Sequence, residues 1–200
     1  MQSIDSKILR SLRARRSASA VSAKHFARYG NTSAVGQALS RLAKAGKIRR
    51  IRQGLYDLPR DHPVVGRTAP DPMAAVRALM EGSSATWQVS GAYAANLLGL
   101  SEQVPAQIVI LTDGVPRRVA LGKLTLLIRR AAPRYLLGAG RPAGLVIQSI
   151  RHLRASGLTP RLVVQLRGQL DAGTKTDLRA LAPRLPAWMQ PIVGEIAAAT

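Results

Sequence analysis

The sequence predicts an α+β fold in two parts, and three observations carry that prediction. Apolar residues recur at helical spacing as far as Ala45 and again from Pro142 onward. Short strand-like runs lie between them, KIRRIRQGLYDLP first and then QIVILTDG, RRVAL and KLTLLIRR. The stretch RDHPVVGRTAPDP, rich in proline and polar residues, separates the first run from the others. The predicted organisation is a domain over 1–60, a linker or extended arm over 61–72, and a mixed α+β domain over 73–200.

The elements follow in chain order. Ile4, Ile8, Leu9 and Leu12 mark a first helix ending near Arg15, with Ser3 placed to cap it and Asp5 in the first turn, where the helix dipole favours an anion. Ser22 precedes a short second helix, AKHFARY, in which Phe26 can reach a core and after which Gly30 stops the helix. Asn31 and Thr32 offer caps for a third helix, whose Val35, Ala38, Leu39, Leu42 and Ala45 keep one apolar face. Its other face carries Ser33, Gln37, Ser40, Arg41 and Lys44: short hydrogen-bonding groups first, cations later. Beyond Gly46, the Gln53-Gly54 turn joins two short runs into a hairpin that Pro59 ends. Tyr56 is expected to pack its ring on the helices.

Three helices and a hairpin form the pattern of a winged helix-turn-helix, with the hairpin as the wing. In such an arrangement the N-terminal residues of the reading helix meet base edges, while later cations and the preceding helix hold phosphates. The candidate DNA-binding residues are therefore Thr32, Ser33, Gln37, Arg41, Lys44, Lys47, Arg49, Arg50 and Arg52. Ser33, Gln37 and Arg41 are assigned to bases. The others are assigned to phosphates or the wing, Arg52 being placed to reach into a minor groove. A charged hairpin also serves as a protected sheet edge, and winged helices also serve as protein-binding modules, so both readings stay open.

In the second part, Met73, Val76, Leu79 and Met80 define a helix over Pro72–Met80 that Gly82 stops, and a further helix is expected from Ser90 to Leu98. The three strand-like runs predict a small antiparallel sheet. From Pro142 the chain is read as a helical tail: LVIQSIRHL, RLVVQLRGQL, TDLRALAPRL and a last helix near Trp188–Ala198, with prolines at helix starts and stops.

Charge narrows the function. Thirty Lys and Arg against ten Asp and Glu give a formal net charge of +20, which favours a polyanionic partner. The excess is densest early: residues 1–68 hold 15 basic and 3 acidic side chains. The chain has no cysteine, hence no disulfide, thiolate nucleophile or cysteine-based zinc site, and a cytoplasmic setting is expected. The N-terminus lacks the apolar core of a secretory signal, and no apolar run is long enough to span a bilayer, so no membrane partner is expected.

Catalytic signals are weak. His25, His62 and His152 stand apart without a metal-ligand partner at i+3 or i+4, so no metal is expected. Asp57, Asp61 and His62 read as a surface ion-pair group beside Arg60. Gly138–Gly144 departs from G-x-G-x-x-G by one residue, Gly168–Thr176 ends in GTKT where a phosphate loop needs G-K-[ST], and Ser90 in VSGAY lacks the glycine of a nucleophile elbow. Neither a cofactor nor an enzymatic reaction is predicted.

The stretch LSRLAKAGKIRRIRQGLYDLP, followed by WQVSGAYAANLLGLS, VPAQIVILTDG and a C-terminal PAWMQPIVGEIA, resembles the AbiEi-type antitoxins of bacterial type IV toxin-antitoxin and abortive-infection systems. The GKI to GLY-x-LP segment is the most specific part. The resemblance implies a winged-helix N-terminus that binds and represses its own promoter as double-stranded DNA, with oligomerisation possible on the DNA. It also implies a C-terminal domain that neutralises a nucleotidyltransferase-type toxin without a stable complex. The residues by themselves leave a second reading, a basic module for structured RNA or an acidic protein.

Overall fold

The computed structural model describes residues 3–15, 20–59, 61–63, 66–68, 70–103, 105–121 and 124–198. It divides into two compact units, Met1–Ser83 with Ala120–Gly122, and Ser84–Val119 with Lys123–Thr200.

The first unit is a winged helix-turn-helix. Helix α1 (Ile4–Arg13) starts where the Ser3 side chain accepts a hydrogen bond from the Ser6 amide. A two-residue strand, β1 (Val21–Ser22), leads into a 3-10 helix, Ala23–Tyr29, the form taken by the predicted second helix. Helix α2 (Thr32–Lys44) is the predicted third helix, capped by Asn31 Oδ1 accepting from the Ala34 amide at 2.8 Å. Strands β2 (Arg49–Arg52) and β3 (Leu55–Asp57) form the hairpin, and β1 pairs with β3 to give the order β1-β3-β2. Strand β1 escapes a sequence reading because two residues carry no periodicity.

The predicted apolar stripe of α2 is the one that is buried: Val35, Ala38, Leu39 and Leu42 join Ile8, Leu12, Phe26, Ile48 and Tyr56 in one core. Phe26, fully buried, stands edge-on to His25 and stacks on Tyr29. Burying side chains of this size contributes about 1.5–3 kcal/mol each, so the core holds the three helices and the wing as one body.

The segment predicted as a linker contains a small hairpin, β4 (Asp61–His62) with β5 (Gly66–Arg67). The boundary also lies later than the sequence suggests. Helix α3 (Pro72–Met80), capped by Asp71, packs on β1 and β3 and so belongs to the first unit, which runs on to Ser83. Its buried alanines, Ala74, Ala75 and Ala78, let a helix lie close against a sheet, a contact that no local pattern announces.

The second unit opens with β6 (Trp87–Ser90), unpredicted because four residues with the polar Gln88 at a buried position show no apolar alternation, and α4 (Ala92–Leu97) follows. Strands β7 (Gln107–Thr112), β8 (Arg117–Leu121) and β9 (Leu124–Arg130) complete a four-stranded sheet of order β6-β7-β9-β8. β6 and β7 are antiparallel, but β7 and β9, two of the runs expected to pair antiparallel, run parallel, so the sheet is mixed. The reason is topological: β9 inserts between β7 and β8 instead of leaving β8 beside β7.

Helices α5 (Pro142–Gly157), α6 (Pro160–Gln169), α7 (Ala172–Leu181) and α8 (Gln190–Ile196) form the tail, with Pro142 and Pro160 in first turns as predicted. Their core gathers Val146, Ile147, Ile150, Leu166, Leu178 and Val193. The glycine run Gly138–Gly144 has a packing role. A Cβ on Gly144 would stand 2.2 Å from the Gly138 carbonyl oxygen, so the loop folds back on the first turn of α5 only because both residues lack side chains.

Candidate nucleic-acid interface

The outward face of α2 is polar along its whole length. Thr32, Ser33, Gln37, Ser40, Arg41 and Lys44 are all exposed, while the opposite side is closed by the core. The apolar periodicity forces this division: a helix that buries i, i+3, i+4 and i+7 presents what remains to solvent. Small hydrogen-bonding groups occupy the N-terminal half and cations the last turn, as the sequence indicates.

Arg41 is held rather than loose. Its Nη2 donates to Asp5 Oδ1 at 2.7 Å and its Nε to Asp5 Oδ2 at 3.3 Å, tying the end of α2 to the start of α1. The hydrogen bonds from Arg41 keep the Asp5 carboxyl below the usual carboxylate range, and the positive charge of Lys47 adds a smaller pull in the same direction. A ligand at this place meets an arginine already oriented by a carboxylate.

The wing divides its arginines by strand geometry. Side chains alternate across a strand, so Arg50 and Arg52 are exposed while Arg49 and Ile51 turn toward the protein. Arg49 therefore departs from its assignment to phosphate. Its Nε and Nη2 donate to the two carboxylate oxygens of Asp57 at 2.9 and 2.5 Å, and its Nη1 donates to the Thr68 carbonyl at 2.7 Å. Asp57 is fully buried, so the surface group expected of Asp57, Asp61 and His62 is replaced by a buried, two-pronged pair. The side chains of Asp61 and His62, and Arg60, lie outside the described residues.

A bulge between Arg50 and Arg52 twists the hairpin. Gly54, at φ 77°, makes the turn, and its carbonyl accepts from the Ala23 amide at 2.9 Å. The tip is thus strapped to the start of the 3-10 helix, with Arg52 and Gln53 exposed at it, while Lys47 is exposed ahead of β2 at the other end of the hairpin. Tyr56 is buried in the core with Ile8, Phe26 and Leu39, as expected.

The structure adds a group that the sequence reading did not assemble. Lys7, Arg10, Ser11 and Arg15 of the α1 segment face His25, Arg28 and Tyr29 across an open hollow of about 680 Å3. Arg15 Nη2 lies 3.0 Å from His25 Nε2, and His25 Nδ1 lies 3.6 Å from Glu81 Oε1. Hydrogen bonding with Ser11, and less strongly with Arg28, pulls the Tyr29 hydroxyl below its ordinary value. The Arg28 guanidinium lies 4.9 Å from the Tyr29 ring centroid and donates to its hydroxyl. Positions 7, 10, 11 and 14 form one helical stripe, which was the available signal. Among the described residues, no Asp or Glu lines the hollow itself, which suits it to an anion.

Among the described residues, no group of three His, Cys, Asp or Glu side chains is placed to hold a metal ion, and no helix is long and apolar enough to cross a membrane. No curated protein matches the chain. The chain is similar to the crystal structure of the RV2827C protein from Mycobacterium tuberculosis, at 17% sequence identity and a TM-score of 0.44, over 98% of this chain and 83% of that one. The family described as "Family of unknown function (DUF6088)" matches residues 7–167, which takes in the winged helix, the mixed sheet and the first two helices of the tail. The chain therefore belongs to the DUF6088 family.

Proposed function

We propose that this protein binds double-stranded DNA sequence-specifically through its winged helix-turn-helix and represses its own promoter, as the antitoxin of an AbiEi-like type IV system. One observation carries the reading: α2 presents Ser33, Gln37 and Arg41 on a fully exposed polar face while the same unit exposes Arg50 and Arg52 on its wing. Short amide and hydroxyl groups near the start of a reading helix suit base edges, and flanking cations suit phosphates. Lys44 and Lys47, with Lys24 and Arg28 on the preceding 3-10 helix, extend the exposed cationic surface. The antitoxin half of the reading is supported by the residues that resemble that family, from LSRLAKAGKI to GLYDLP.

The test is fluorescence anisotropy of the full chain with its own upstream promoter duplex against a scrambled duplex, across a salt series. A preference of a hundredfold or more for the promoter is expected, since specific sites are typically bound at least about a thousandfold over non-specific DNA. Equal affinity for both duplexes would remove α2 as a reader. Displacement by structured RNA but not by promoter DNA would favour the basic-module reading instead. The antitoxin half is tested by co-expression with the adjacent gene, where growth rescue is expected without co-purification of the two proteins.

A further inference from the structure

The second unit holds a cationic and aromatic cleft that the DNA-binding reading leaves unused. Its two lobes, of about 410 and 450 Å3, share Tyr135 and Arg151, within the range of small-ligand sites. Arg129 and Arg130, at the end of β9, line one lobe; Arg154 and Trp188 line the other; among the described residues no Asp or Glu lines either.

Its parts are fixed in place. The Tyr135 carbonyl accepts hydrogen bonds from two buried glutamines, Gln148 at 2.8 Å and Gln88, so the backbone beneath the ring is clamped. The guanidinium carbons of Arg134 and Arg151 each lie 5.0 Å from the Tyr135 ring centroid. Tyr135 thereby organises cations, and Trp188, 42% exposed, is left as the open aromatic surface. Five large apolar side chains are exposed among the described residues, and two of them, Tyr135 and Trp188, meet in this cleft.

Two features lack an explanation within the chain. Arg151 Nε is buried without a hydrogen-bond partner, while Nη2 of the same guanidinium donates to the Arg134 carbonyl at 3.2 Å. Arg154 interrupts α5 with φ 59° and ψ 178°, a backbone conformation that L residues avoid, and lies in the cleft. A partly buried guanidinium with one N–H unsatisfied and, among the described residues, no carboxylate lining its cleft is unfavourable, and an anion bound beside it relieves that cost. Backbone strain of this kind gathers at ligand clamps.

We propose that this cleft binds a nucleotide unit, its phosphate on Arg151, Arg154 and Arg130 and its base stacked on Trp188. Arginine forks match phosphate oxygens two at a time, and an aromatic face accepts any base. An acidic peptide would use the cations but leave Trp188 idle. The chemistry is that of a free nucleotide or of one residue of a single strand, and it does not depend on DNA binding by α2.

The test titrates the full chain, with excess unlabelled duplex present to occupy the first unit, and follows tryptophan fluorescence. The probes are 5′-AMP, a single-stranded oligoadenylate octamer, an abasic octamer and inorganic phosphate. AMP or the octamer is expected to quench fluorescence, and the quench should vanish in Trp188→Phe, which keeps Trp87. Saturation by AMP identifies a free nucleotide; saturation by the octamer alone identifies a strand. Read by titration calorimetry, which needs no tryptophan signal, Trp188→Ala should weaken binding about tenfold, the order found for losing one stacked base. Arg154→Gln should weaken it comparably, and Arg154 is exposed, so that variant guards against misfolding of an Arg151 variant. Equal affinity for the abasic and adenylate octamers, or no quench by either base-bearing probe, overturns the proposal.

Discussion

Arg49 and Arg50 are neighbours in sequence with opposite roles. Arg49 neutralises a fully buried carboxylate, and removing one partner of such a pair leaves an uncompensated charge inside the fold. Arg49→Ala is expected to lower folding stability by about 3 kcal/mol, measured by chemical denaturation. Arg50→Ala should leave stability within about 0.5 kcal/mol and instead weaken binding to all duplexes about equally. Asp5 has a different effect, since it restrains Arg41 from the side of α1. Asp5→Asn should tighten DNA binding several-fold at low salt by releasing that guanidinium and adding a positive charge. The same carboxyl gives a pH signature. Its folded-state pKa is depressed, so the stabilisation by the pair is fully present above the ordinary carboxylate value and is lost as pH falls through the lower folded value. A stability difference between the wild type and Asp5→Asn should therefore be present at pH 7 and shrink toward pH 3 in denaturation curves.

At the scale of elements, α2 combines a sealed side with an open one. Gln37 lies on the open side with no packing role, so Gln37→Ala should keep the melting temperature and change the preferred operator sequence, read by competition among operator variants. Equal loss on operator and random DNA would remove it as a base reader. The join between the Gly138–Gly140 loop and α5 behaves in the opposite way, because it tolerates no added atom. Gly144→Ala would press its Cβ into the Gly138 carbonyl and the Gln88 side chain. Overpacking of this kind costs about 1–3 kcal/mol, and here backbone must move. The expected result is a clear fall in thermal stability with the Tyr135 cleft disturbed, since Gln88 also holds the Tyr135 carbonyl.

For the whole molecule, the charge of +20 sets the approach to any polyanion before any specific contact forms. If six phosphates are neutralised by the exposed cations of α2, the wing and the 3-10 helix, duplex affinity should fall roughly a thousandfold between 50 and 200 mM salt. A slope of half that size on a double-logarithmic plot would mean that the wing does not touch the backbone. Charge alone gives no preference among sequences, so the salt slope and the promoter preference measure different parts of the protein.

Much of the first unit was legible because its information is local: the Ser3 cap, the stripe from Val35 to Leu42 and the Gln53-Gly54 turn each act through residues a few positions apart. The exposed face of α2 followed from the same stripe, since what a helix does not bury it shows. Other features depended on residues far apart in sequence. Arg49 reads like any other wing cation until Asp57 is placed opposite it, and α3 reads as the start of a second domain until β1 and β3 offer it a surface. The basic hollow and the Tyr135 cleft each join side chains from separate elements, His25 with Lys7 in one and Arg151 with Trp188 in the other. The sequence by itself determined the helices, the hairpin, the faces they bury and the excess of positive charge, because periodicity and composition act along the chain. Only the tertiary structure decided which cations are free for a ligand, which are tied to a carboxylate, and that β9 runs parallel to β7, because pairing across space has no periodic trace in the chain.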